Sequence, residues 1–179
     1  MPPTKYKYKY TLSGTDIVKV FDRTLRRIIY NDGTFGGYIQ SHRNLSQYGK
    51  CRVSDNAYVW GDAQVLDAAV VSGNAKVSDN AKVSDNAKVS DNARVYDHAQ
   101  VGGGAKVSGT ASVLDNAKVL DDAWIHSHAR VGGSARVSDN AEVHGDIRIY
   151  GNAQVFGNAK ISGDLWVSGE AVILDNNLL

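Results

Sequence analysis

KVSDNAKVSDNAKVSDNAR, residues 76–94, is one six-residue phrase repeated three times with almost no variation, and it decides the fold. Outward from it, an aliphatic residue recurs every six positions from Val53 to Ile173, which gives 21 hexads without insertion or deletion. A small residue stands four places after each aliphatic one (Ala57, Ala63, Ala69, Ala75 and onward), with Asp, Gly or Asn concentrated between them. A helix spaces its apolar positions about 3.6 residues apart, and an uninterrupted strand alternates indefinitely. A strict six needs short strands broken by turns. In Ala81-Lys82-Val83-Ser84 the period of two sends Ala81 and Val83 to one face and Lys82 and Ser84 to the other. Asp85-Asn86 then turns the chain, because Asp, Asn and Gly tolerate the left-handed backbone of a sharp corner. Three corners close a triangular coil of 18 residues, so the 21 hexads make seven coils stacked into a narrow Val/Ile and Ala core. The spacing predicts an all-β parallel solenoid.

This repeat resembles the hexapeptide-repeat proteins, a superfamily of left-handed parallel β-helices that includes acyltransferases and γ-class carbonic anhydrases. The left hand comes from the resemblance and runs against the usual right-handed crossover. Before the column, Gly36-Gly37-Tyr38-Ile39 is followed by Asn44-Leu45-Ser46-Gln47, Gly49, Cys51 and Val53. That arrangement is similar to the YdcK type of bacterial and prophage-like hexapeptide-repeat proteins, which are grouped with transferases without a settled activity. The resemblance implies homo-oligomers, commonly trimers.

The expected organisation is an N-terminal β cap and first turn over 1–50, a repeat column over 51–176 and a tail over 177–179. Residues 1–52 hold ten Lys or Arg against three Asp, whereas residues 53–179 hold ten against sixteen Asp or Glu. Such asymmetry marks an interaction end or self-association of a basic cap with an acidic column. No apolar run is long enough for a membrane span, and the start, Met1-Pro2-Pro3 and then alternating Lys and Tyr, lacks a signal core, so a cytoplasmic location is expected. Cys51 is the sole cysteine and falls on a small inward position, where it packs rather than reacts. Within the cap, residues 4–10, Ile17 to Phe21 and Leu25 to Tyr30 are expected as strands, with Asn31-Asp32-Gly33 as a turn. Lys5, Lys7, Lys9, Arg23, Arg26 and Arg27 among tyrosines would suit a polyanion, but no nucleic-acid motif accompanies them.

Coil arithmetic places Tyr58, Trp60, Lys76, Arg94, Tyr96, Arg130, Arg148, Tyr150 and Trp166 on one outer face, a basic and aromatic stripe. It suits an acidic protein or an anionic glycan. The next face aligns Leu66, Leu120, Phe156, Val172 and Leu174, as a side-by-side subunit interface would. Ile147 and Leu165 break the inward alanine rule 18 residues apart and are expected to widen the last coils from within. The chain's final Leu178-Leu179 suggests end-to-end pairing of columns.

Chemistry has one candidate cluster. His126 and His144 are 18 apart and stack; His128 and Asp146 do the same at the adjoining corner, so the four are candidate ligands for Zn²⁺. The γ-class anhydrase pattern is not met by His126-Ser127-His128. If the column is an acyltransferase, His126 or His144 at a trimer seam is its base and acetyl-CoA or another acyl-CoA its cofactor; neither the protruding loop nor the terminal helix of such enzymes is present. His98 has only Asn80 and Asn116 beside it, and the serine ladder Ser54, Ser72, Ser90, Ser108 is too interrupted for ice binding. The preferred expectation is a rigid oligomeric scaffold or binding protein without catalysis or cofactor.

Overall fold

The computed structural model describes residues 8–175 and the backbone of 177–178. The tyrosine–lysine alternation at 4–7 lies outside the described residues. From Tyr38 onward the chain winds into a parallel β-solenoid of about eight turns with three flat faces and, among the described residues, no helix. Face A stacks Phe35–Ile39 (β3), Tyr58–Val59, Lys76–Val77 and their successors up to Trp166–Val167. Face B runs from Gln64–Val65 to Val172–Leu174, and face C from Arg52–Val53 to Lys160–Ile161. Neighbours pair in parallel register at a spacing of 18 residues, as in Lys76↔Arg94 and Val77↔Val95.

Each rung is two residues long because the third residue after each inward alanine already enters the corner. Ala81 and Val83 are fully buried, and Asp85 takes φ 59°. This left-handed residue recurs two places after the aliphatic one in all 21 hexads, ten times as glycine, ten as aspartate and once as Ser127. Aspartate adds a bond that glycine cannot. The backbone N–H groups of Gly73, Gly103 and Gly109 donate to the Oδ2 of Asp55, Asp85 and Asp91 one coil below, each at 2.9 Å.

The column has an additional coil beneath the expected seven. Tyr38 pairs with Tyr58, Ile39 with Val59 and Leu45 with Val65, a spacing of 20 residues that absorbs an irregular stretch. Buried Asn44 makes that irregularity tolerable: it accepts from Ser41 N–H (2.9 Å) and donates to the carbonyls of Gly61 (3.0 Å) and Ala63 (2.9 Å).

Below this coil the sheet of face A continues as the antiparallel strands Tyr10–Val20 (β1) and Arg23–Tyr30 (β2), the latter pairing with β3. The expected break before Ile17 is a bulge, not a gap. Ser13 Oγ accepts from the N–H groups of Thr15 and Asp16 (3.2 and 2.9 Å), and pairing resumes at Ile17 in a shifted register. The turn Asn31-Asp32-Gly33 is as expected, with Gly33 at φ 82°. Gly36 and Gly37 let β3 press onto the first coils: a Cβ on Gly36 would lie 2.7 Å from the Val53 carbonyl, and one on Gly37 2.8 Å from Val53 Cγ1.

One inward and one outward reading change. Leu165 does not share the interior with Ile147; Ile147 is fully buried, but Leu165 is 53% exposed because no described coil lies above it. On face B, Leu66, Leu120, Phe156, Val172 and Leu174 are half-buried rather than exposed.

Candidate functional site

Two places on the column gather chemistry, one on face A and one at a corner between faces C and A. On face A the outward positions beside the buried valines carry the basic and aromatic stripe. Residues one place after the aliphatic ones mix large and small: Trp60, Ser78, Tyr96, Leu114, Gly132 and Tyr150. Small members are covered by large ones, so Ser78 and Gly132 are buried while a Cβ on Gly132 would strike the Tyr150 ring at 2.5 Å. Burial raises the Tyr96 phenol above its ordinary value, and the nearby Tyr150 hydroxyl adds to the effect.

The hairpin completes a depression there. Its tip residue Phe21, left-handed at φ 55° and 89% exposed, stands with Val20 beside Trp60, Lys76, Ser78, Arg94 and Tyr96 around a hollow of about 390 Å³. Trp60, Lys76, Arg94 and Tyr96 were legible from coil arithmetic; Phe21 was not, because its place depends on how the hairpin folds back. Arg94 also lines a second hollow of about 250 Å³ with Asn92, Thr110, Ser112, His128 and Arg130. The two hollows therefore follow one another up the face. Tyr58 sits lower, edge-on to Tyr38 at 5.5 Å. Arg148 and Trp166 continue the stripe upward and are exposed, Trp166 by 70%, while Tyr150 is half-buried.

The histidines separate into two pairs. His126 and His144 stack with ring centroids 4.9 Å apart and planes 11° off parallel, and Trp124 lies 4.3 Å from His126 on the same strand. Trp124 is itself held by its indole N–H donating to Ser108 Oγ at 3.1 Å. His128 faces Asp146 at 3.9 Å across the exposed corner. Imidazole lone pairs lie in the ring plane, so stacked rings do not aim their nitrogens at one point. Accordingly, His126, His128, His144 and Asp146 do not converge, and no group of three or more His, Cys, Asp or Glu among the described residues is placed to hold a metal ion.

A carboxylate that sequence reasoning passed over does meet the histidine pair. Glu142 lies on the rung above Trp124, with Oε1 at 3.3 Å from His126 Nε2 and Oε2 at 3.3 Å from Lys160 Nζ. The His126 hydrogen bond, ahead of the Lys160 contacts, holds the Glu142 carboxyl below its ordinary value. On its other side, His126 Nδ1 is 3.1 Å from Ser127 Oγ. Positions 142 and 126 differ by 16, not 18, so a search for stacked equivalents does not pair them.

Cys51 is buried, as expected, but not inert in its contacts. Lys9 Nζ donates to its carbonyl at 2.8 Å and lies 3.1 Å from its sulfur. At the opposite side of the cap, Arg23, Arg26, Gln40 and His42 line a wider cleft of about 910 Å³ with Tyr8 and Tyr10.

With the geometry in place, residues 87–103 match the family model of the YdcK β-solenoid repeat. The column is a YdcK-like solenoid of the hexapeptide-repeat type. No curated protein matches the chain. The matched segment carries Arg94, Tyr96 and His98, so the YdcK-like repeat includes the centre of the face A stripe.

Proposed function

We propose that the YdcK-like column is a rigid binding scaffold that holds an anionic glycan along face A. One observation carries this reading: Phe21, Trp60 and Tyr96 surround Lys76 and Arg94 in a single hollow, next to a second one that shares Arg94. Aromatic rings offer apolar faces to the C–H surfaces of sugar rings, and the cations pair with carboxylate or sulfate groups. A stack of backbone ladders keeps these side chains in fixed order, so little ordering entropy is lost on binding.

The test is calorimetric titration with an oligogalacturonate and with its methyl ester. The acidic chain should bind and weaken as salt rises, and the neutral ester should not. Trp60→Ala and Arg94→Gln should each weaken binding about tenfold, equivalent to ~1.4 kcal/mol. Equal affinity for both oligosaccharides, or none for either, overturns the reading; retention of an acidic protein instead would replace the glycan with a protein partner.

A further inference from the structure

Twenty corners of the column place aspartate or glycine in the left-handed position, and the remaining one places Ser127 there, at φ 61°. Serine in this conformation carries a steric cost that glycine avoids, and it sits where His126, Glu142 and Lys160 meet. Ser127 Oγ is 3.1 Å from His126 Nδ1, and His126 Nε2 is 3.3 Å from Glu142 Oε1. Glu142 Oε1 accepts a hydrogen bond from His126 Nε2–H, which leaves the Nδ1 lone pair facing the serine hydroxyl. Trp124 on one contact and His144 on another fix the imidazole plane, and Lys160 fixes Glu142. Nucleophile, base and orienting carboxylate stand in hydrogen-bond sequence.

We propose that Ser127, His126 and Glu142 form a serine-esterase centre. Ser127 Oγ attacks the carbonyl carbon of an ester while its proton passes to His126 Nδ1. The tetrahedral adduct collapses, the ester C–O bond breaks, and the alcohol leaves with that proton. Water then attacks the acyl-serine, His126 takes one of its protons and returns it to Oγ, and the carboxylic acid departs.

The corner also frees a donor for the oxyanion. Eight corner N–H groups in the column donate to an aspartate carboxylate one coil below. Beneath Ser127 the equivalent residue is Gly109, which has no side chain to accept, so the Ser127 N–H has no such cap and remains beside the nucleophile. Thr110 Oγ1 donates to the Ser127 carbonyl at 3.0 Å, and Thr110 and His128 open onto the hollow that contains Arg94 and Arg130. Cations in the hollow that adjoins this corner select an ester carried on an anionic molecule, such as an O-acylated acidic sugar. That choice of substrate rests on the face A binding reading; the catalytic assignment does not.

The full chain is assayed with p-nitrophenyl acetate and labelled with a fluorophosphonate. Saturable turnover and a single label on Ser127 are expected. Ser127→Gly places at this corner the residue that ten other corners carry, so it folds; its turnover should fall at least ~100-fold and its labelling vanish. Glu142→Gln should lower kcat about tenfold with KM unchanged, as loss of a positioning residue does. Absent labelling, or turnover that survives Ser127→Gly, overturns the proposal. Oligogalacturonate binding without labelling strikes this centre alone, and labelling without oligogalacturonate binding strikes the face A reading alone.

Discussion

The cap and the column are both β-structure on one continuous sheet, yet they are held in opposite ways. In the column, the same backbone ladder and the same Val/Ala pair repeat, so each contact has many equivalents. In the cap, each contact occurs once. Tyr10 Oη donates to the Leu45 carbonyl at 2.8 Å, Tyr30 Oη accepts from Val53 N–H (2.9 Å) and donates to the Val53 carbonyl (3.1 Å), and Arg52 lies 4.0 Å over the Tyr30 ring. Stability of a repeat array is roughly a sum of unit and neighbour terms, so a column lesion stays local. A cap lesion has no equivalent contact to fall back on, and because Phe21 stands in the face A hollow it reaches the binding surface as well.

The largest expected break in this contrast is Gly37→Ala. Its methyl would run into the Ala57 carbonyl and Val53 Cγ1, neither of which can swing away. A loss of about 3 kcal/mol is expected, confined to the cap. Hydrogen exchange should show β1–β3 opening while the amides of residues 76–160 remain protected. Next is Asn44→Leu, which leaves the Gly61 and Ala63 carbonyls without their side-chain donor and should cost ~2–3 kcal/mol by denaturant unfolding. Retention of full stability there would mean that the 20-residue first coil does not depend on Asn44.

Alkali should separate the two regions next. Burial is the main cause that raises the phenols of Tyr10 and Tyr30 above their ordinary value. The native state thus keeps protons that the unfolded chain releases above about pH 10, so stability present below that pH declines as pH rises, by up to ~1.4 kcal/mol per pH unit for each group. Cap exchange should accelerate above about pH 10, and Tyr10→Phe should shift that onset upward. In the column the phenol so raised is Tyr96, which is only part-buried, so the protection of its amides should fall less than that of the cap.

Legibility in the sequence divides along the same line. Period, inward alternation and the Asp/Gly corners predicted the column rung by rung, because each choice was repeated 21 times with the same physical reason. Cap strands were legible only in part. Ser13-Gly14-Thr15-Asp16 reads as a break, and only the Ser13 hydrogen bonds keep β1 continuous through it. At the sites, coil arithmetic found residues that stack at 18, such as His126 and His144, and the aligned side chains of face A. It missed Phe21, which arrives from outside the repeat, and it missed Ser127 and Glu142, whose links to His126 span 1 and 16 residues. The signal for Ser127 was nonetheless present, as the one corner residue that is neither Asp nor Gly.

The smallest predicted effect tests whether identical sequence means identical energetics inside the column. Asp79 and Asp85 occupy the same Val-Ser-Asp-Asn phrase one hexad apart, and both are left-handed. Each Oδ2 accepts from the serine before it, Ser84 Oγ at 3.2 Å and Ser78 Oγ at 2.7 Å, but only Asp85 Oδ2 also accepts from the corner N–H one coil above, that of Gly103 at 2.9 Å. Glycine at either position relieves the same backbone strain, so the difference between the two variants reports the intercoil bond. Asp85→Gly should lower stability by ~0.5–1 kcal/mol relative to Asp79→Gly, which itself should be neutral or stabilising. Asp85→Ala should be worse than Asp85→Gly by ~1 kcal/mol, since alanine forfeits the bond and keeps the strain. Asp85→Asn, with an oxygen still able to accept, should restore most of the loss. Equal effects at 79 and 85 would show that aspartate is selected at these corners for its backbone conformation, with the bond to the next coil incidental.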